Sequence, residues 1–135
     1  MQFAPLPGDD LRDLELVDCE LAFEICLNAD NKVCLIERGE SFFWEKALSC
    51  QDAKGVAALI YNNGDGRFTG TLGNNGVSIP VVAISRRDGL TLRGTADTTV
   101  SLSFLLFGYS SAGGTSMASP HVAGIAAKIW AARPE

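Results

Sequence analysis

The sequence predicts an α/β fold, and three observations carry that prediction. Continuous apolar runs at Val33–Ile36, Val56–Tyr61 and Ile79–Ser85 have the pattern of strands buried on both faces. A stretch of helical spacing, Glu40 to Ala53, separates the first two runs, and a strand, helix, strand order of this length makes a right-handed crossover unit. A second helical pattern, Ser116 to Ala132, closes the chain. There Ala118, Val122, Ile125, Ala126 and Ile129 recur at the spacing of one helix face.

Taken in order, residues 1–16 are acidic and loosely patterned. Pro5 and Pro7–Gly8 read as loop, and Leu14, Leu16 and Val17 begin a strand. Asp18 to Asn31 is a loop. Lys32–Glu37 is a short apolar strand that ends in a turn at Arg38–Gly39. Phe42, Phe43, Lys46, Ala47 and Cys50 lie at helical spacing, and Lys54–Gly55 stops that helix as a glycine cap. Asn62–Gly66 is a turn; its acids and amides do not have the spacing of a calcium loop. Thr69–Asn75 is a glycine-rich loop without phosphate-binding features. Asp88 to Leu92 reads as a short helix. Thr98 to Phe104 alternates polar and apolar residues, as a half-buried strand does.

Composition narrows the function. The 135 residues are 47% hydrophobic and 20% charged, ordinary for a globular protein. A formal net charge of −5 and an isoelectric point of about 4.8 argue against nucleic acid and anionic membranes as partners. No apolar run approaches the roughly 20 residues of a membrane span. The four cysteines, Cys19, Cys26, Cys34 and Cys50, lack a Cys-x-x-Cys spacing, and the single histidine is far away in the sequence, so no metal site is expected. No cofactor is implied. An even count within a short stretch points to disulfides and an oxidising compartment. Three pairings are open; Cys19–Cys26 with Cys34–Cys50 is the expected one, and buried free thiols are the alternative. The first ten residues have neither the basic start nor the apolar core of a signal peptide. Disulfides without a leader lead us to expect the C-terminal piece of a longer secreted precursor, extracellular in its full-length form.

The central stretch resembles the protease-associated (PA) domain. The similarity lies in Val33-Cys34-Leu35-Ile36-Glu37-Arg38-Gly39, in Phe43 with Lys46, and in Gly55-Val56-Ala57-Ala58-Leu59-Ile60-Tyr61-Asn62-Asn63. It continues in Ile79-Pro80-Val81-Val82-Ala83-Ile84-Ser85 followed by Asp88-Gly89. It covers roughly residues 17–103 and implies a small α/β domain, a mixed sheet with short helices. PA domains carry no catalytic residues; the resemblance implies a module that covers an active site or selects protein substrates. Arg38 and Lys46 read as solvated or structural charges.

The last stretch carries the chemistry. Gly113 and Gly114 allow a sharp turn and a close approach of substrate. Ser116 follows where a helix begins, among unpaired backbone N–H groups and in a positive dipole, a setting that stabilises an oxyanion. Thr115 and Ser116 are also good helix caps. Pro120 lies near the first turn, where a missing N–H costs least. The string Gly114-Thr115-Ser116-Met117-Ala118-Ser119-Pro120-His121-Val122-Ala123-Gly124 resembles the serine motif of the subtilisin-like serine peptidases. The resemblance implies that Ser116 is the acyl-forming nucleophile, that its N–H helps form the oxyanion hole, and that Gly114 and Thr115 lie beside the substrate. The family's aspartate, histidine and oxyanion-asparagine motifs are absent. His121, five residues after Ser116, is turned from it by about 140° on a helix and does not serve as its base.

Residues 1–16, 17–103 and 104–135 are therefore expected to be an N-terminal segment, a PA-like domain and the serine-motif segment of an incomplete subtilisin-like domain. The first functional reading is a serine endopeptidase fragment acting on protein or peptide substrates. Its catalytic base and acid come from the missing N-terminal part of the catalytic domain, and the chain alone is inactive. The alternative is a non-catalytic PA-type interaction or substrate-selecting module with a vestigial protease tail. In either reading the last helix lacks its neighbours and exposes apolar surface.

Overall fold

In the computed structural model, which describes residues 11–95, 97–103 and 115–132, the apolar runs become the middle of a sheet. The elements run β1 (Leu11–Asp18), β2 (Val33–Glu37), α1 (Phe43–Asp52), β3 (Ala57–Tyr61), β4 (Val81–Ile84), α2 (Arg86–Arg93), β5 (Thr99–Leu102) and α3 (Thr115–Ala132). The chain divides into two units, Met1–Phe104 and Leu105–Glu135.

The first unit is an α/β fold around a five-stranded mixed sheet of order β4-β3-β2-β1-β5. β1, β2, β3 and β4 run parallel; β5 is antiparallel to β1. β2 and β3 lie in the centre with almost every side chain buried. Their period-two alternation sends side chains to two cores. Cys34, Ile36, Ala58 and Ile60 face Cys50 of α1 and the 19–31 loop. Val33, Leu35, Leu59 and Tyr61 face Leu92 of α2 and Val100 of β5.

Several elements depart from the sequence expectation. β1 begins at Leu11, within the segment expected to be loop. Its register against β5 shifts between Leu11 and Leu14, and Asp13 sits there in the left-handed region at φ 51, its N–H on the Ser101 hydroxyl at 3.0 Å. This irregularity breaks the alternation that marks a strand. The run Ile79–Ser85, expected to be buried, yields the shorter, half-exposed β4, because it forms one edge of the sheet. Gly55 is not the left-handed cap. That conformation falls on Lys54, at φ 63, while Gly55 makes room for sulfur: a Cβ there would lie 2.3 Å from Cys50 Sγ and 2.9 Å from Cys34 Sγ.

The second unit contains α3, an 18-residue helix with Pro120 inside it. Pro120 is its sixth residue rather than part of its first turn, so the N–H that would bond the Ser116 carbonyl is missing. Val122, Ile125, Ile129 and Trp130 are exposed.

Candidate functional site

Thr115 and Ser116 are the first two residues of α3. The first four amides of an α-helix have no partner within it, so the Ser116 N–H is free of the helix ladder. Gly114 lies outside the described residues, as do the side chains of Ser116 and His121. The His121 position is five residues along the same helix, and α3 contains no acid. The helix alone therefore assembles no base for Ser116.

The cysteines are joined as Cys19–Cys26 and Cys34–Cys50, with Cα separations of 5.2 and 6.1 Å. The sulfurs of Cys19, Cys26 and Cys34 lie within 4.8 Å of one another. Among the described residues this is the one cluster of three metal-ligating groups, and each sulfur is already in a disulfide.

A groove opens between the disulfide-closed loop and α1. Its apolar lining is Ala22, Phe23, Ile25, Trp44 and Leu48; Glu24, Glu45 and Asp52 add carboxylates; Ser41 and Ser49 complete it. The volume is about 550 Å³. The loop wall is pinned from behind. Lys46 is fully buried, its ammonium donates to the Leu21 carbonyl and lies 5.6 Å from the centre of the Phe23 ring. Burial pushes the Lys46 pKa down, while the charges of Glu37 and Glu45 oppose that shift. The Ser49 hydroxyl donates to the Glu24 carbonyl. Phe23, Ile25 and Leu27 are nevertheless 67%, 60% and 78% exposed. The Ser41 hydroxyl oxygen is sealed from solvent without a hydrogen-bond partner among the described residues. Sequence reading missed this groove, although Phe23-Glu24-Ile25-Cys26-Leu27 is unusually apolar for a loop.

Other charged groups hold the scaffold. Arg38 donates to the Asn62 side-chain carbonyl at 3.1 Å and stacks over Phe68 at 5.1 Å, a structural role. At the carboxyl ends of the parallel strands, Tyr61 donates to Glu37 at 3.1 Å. Arg93 pairs with Asp18 at 2.7 Å and reaches the Tyr61 hydroxyl at 3.4 Å, tying α2 to β1 and β3.

Residues 12–92 match the PA domain family. The chain belongs to that family. The PA match takes in the groove and runs from β1 into α2; β5 lies beyond it. Residues 73–135 match the Subtilase family. Leucine aminopeptidase 2 from Trichophyton rubrum is 39% identical over 66 residues, 48% of this chain and 13% of that protein. Aminopeptidase YwaD from Bacillus subtilis (strain 168) is 38% identical over 77 residues, 56% of this chain and 17% of that protein. This PA-domain chain thus spans less than a fifth of the length of either relative. Among solved structures, the aminopeptidase from Aneurinibacillus sp. strain AM-1 gives a TM-score of 0.61 at 28% identity, over 70% of this chain and 24% of that one. BSAP, a zinc aminopeptidase from Bacillus subtilis, gives 0.57 at 29% identity, over 65% of this chain and 25% of that one.

Proposed function

We propose that the chain is the PA domain and serine-bearing segment of a secreted subtilisin-like serine endopeptidase, with Ser116 as the nucleophile. The observation that carries this reading is the Subtilase family match at residues 73–135, with Ser116 at the second position of an 18-residue helix. Residues 17–103 act as the PA module and 104–135 as the serine segment, with Gly114 and Thr115 beside the substrate. The Ser116 hydroxyl attacks the scissile peptide carbonyl and gives its proton to a base outside this sequence. The Ser116 N–H stabilises the oxyanion. The amine leaves with a proton, and water hydrolyses the acyl-enzyme. Two disulfides support an extracellular setting.

The aminopeptidase relatives favour a second reading, a PA module serving a metallopeptidase. One solved neighbour is a zinc aminopeptidase. The described residues do not fit zinc: their one three-donor cluster consists of disulfide sulfurs, which offer no thiolate. The remaining alternative is a non-catalytic PA-type interaction module with a vestigial protease tail, which the exposed groove supports.

Fluorophosphonate labelling, read by mass spectrometry, tests the serine reading. The 135-residue chain alone is expected to leave Ser116 unmodified. Joined to a subtilisin-like segment carrying the aspartate and histidine motifs, it is expected to label at Ser116 and to lose the label in Ser116→Ala. Absence of label in the joined protein overturns the proposal.

A further inference from the structure

The groove between the 19–26 loop and α1 combines three features that point to a ligand. Phe23 and Ile25 are exposed on a wall anchored at three points. The Cys19–Cys26 bond, the Lys46 ammonium on Leu21 and the Ser49 hydroxyl on Glu24 fix it from behind. Large apolar side chains exposed together mark interaction surfaces, and a wall already rigid loses little entropy on binding. The second feature is charge. Glu24, Glu45 and Asp52 edge the apolar lining, and among the described residues no cation lines the groove. Glu24 and Asp52 have no ion pair among the described residues, and the nearby Lys46 is buried and occupied. The third is size: about 550 Å³ suits one or two large side chains and not a folded domain.

We infer that this groove binds an extended peptide segment carrying a large apolar residue flanked by lysine or arginine. The apolar side chain enters between Ile25 and Trp44, and the flanking cations meet Glu24, Glu45 and Asp52. A second copy of this chain is the poorer occupant, because its own acidic rim would face another. The inference is independent of Ser116 chemistry: the groove lies wholly within the unit Met1–Phe104, so a failure of Ser116 to label leaves it standing.

The test uses the full chain with Trp130→Phe, which leaves Trp44 as the only tryptophan. A short peptide alternating lysine with leucine and phenylalanine is titrated while Trp44 emission is followed. The expected result is a saturable change that weakens with added salt, with the glutamate-for-lysine counterpart at least about tenfold weaker. Ile25→Ser, a surface change, is expected to weaken binding about tenfold without altering the thermal midpoint. Glu24→Gln with Asp52→Asn is expected to weaken it similarly and to flatten the salt dependence. Three outcomes overturn the inference: no saturable change, equal binding of the acidic counterpart, or self-association of the chain abolished by Ile25→Ser.

Discussion

The ammonium of Lys46, buried on α1, donates to the main-chain carbonyl of Leu21. A charge taken out of water is costly unless it is paired or hydrogen-bonded. Here it joins the helix to the disulfide-closed loop and so sets one wall of the groove.

Lys46→Met keeps the length of the side chain and removes the donor. The Leu21 carbonyl is then left without that partner, and the expected loss at neutral pH is about 1–2 kcal/mol in urea titrations. The pH dependence gives a second readout. Burial holds the Lys46 pKa below 10.5, so in the window between that lowered value and 10.5 the unfolded chain binds more protons than the folded one. Stability from this group therefore rises with pH through that window, and Lys46→Met lacks the rise. The gap between wild type and variant is expected to widen as pH approaches 10.5; a narrowing gap would contradict the assignment.

Tyr61 works in the opposite direction. Burial chiefly, then the hydrogen bond and charge of Glu37, raise its pKa above 10.0, against the pull of Arg93. Its contribution is complete below 10.0 and is lost as pH climbs through the raised folded value. Tyr61→Phe is expected to cost about 1 kcal/mol at neutral pH through lost hydrogen bonding. In a Lys46→Met background, which removes the competing titration, its stability is expected to decline less than that of Tyr61 above pH 10.0. Parallel declines in the two proteins would exclude Tyr61 as the source.

The disulfides differ in what they hold. Chain-entropy arguments assign about 3 kcal/mol to closing the 16-residue separation of Cys34–Cys50 and about 2 kcal/mol to the 7-residue separation of Cys19–Cys26. Double Cys→Ala removal of the first pair is expected to lower the thermal midpoint more. Removal of the second is expected to free the groove wall, read as faster hydrogen exchange at residues 20–25. The reverse order of stability would mean that loop closure is not the dominant effect.

What the sequence revealed follows from burial and period. β2 and β3 are buried on both faces, so their residues are almost all apolar and stand out. α1 betrays itself through its spacing. Leu14, Leu16 and Val17 mark the second half of β1, whereas its start at Leu11 hides because the irregularity at Asp13 shifts the alternation. The groove hides for another reason: Phe23, Ile25 and Leu27 lie in a loop, where no period separates inward from outward side chains. Lys46 read as either a solvated or a structural charge, and the choice between them needed the path of the chain that brings the Leu21 carbonyl to its ammonium. The motif singles out Ser116 and the structure puts its backbone at the head of α3, but a motif supplies no coordinates for a base.

Three glycines in different settings separate packing from propensity when one methyl is added to each. At Gly89 a Cβ would lie 2.2 Å from both Cβ and Cγ of Tyr61, so α2 must move off β3; the expected cost is about 2–3 kcal/mol. At Gly55 the clash is with Cys50 Sγ and the Cys50 carbonyl oxygen, the latter at 2.9 Å. A comparable loss is expected, together with easier reduction of Cys34–Cys50. At Gly124 a Cβ meets nothing within 4 Å among the described residues, and α3 should gain about 1 kcal/mol of helix propensity. Urea titrations of the three alanine variants check the first two, and helix content by circular dichroism checks the third. Equal losses at Gly89 and Gly124 would mean that α2 does not press on Tyr61 as described.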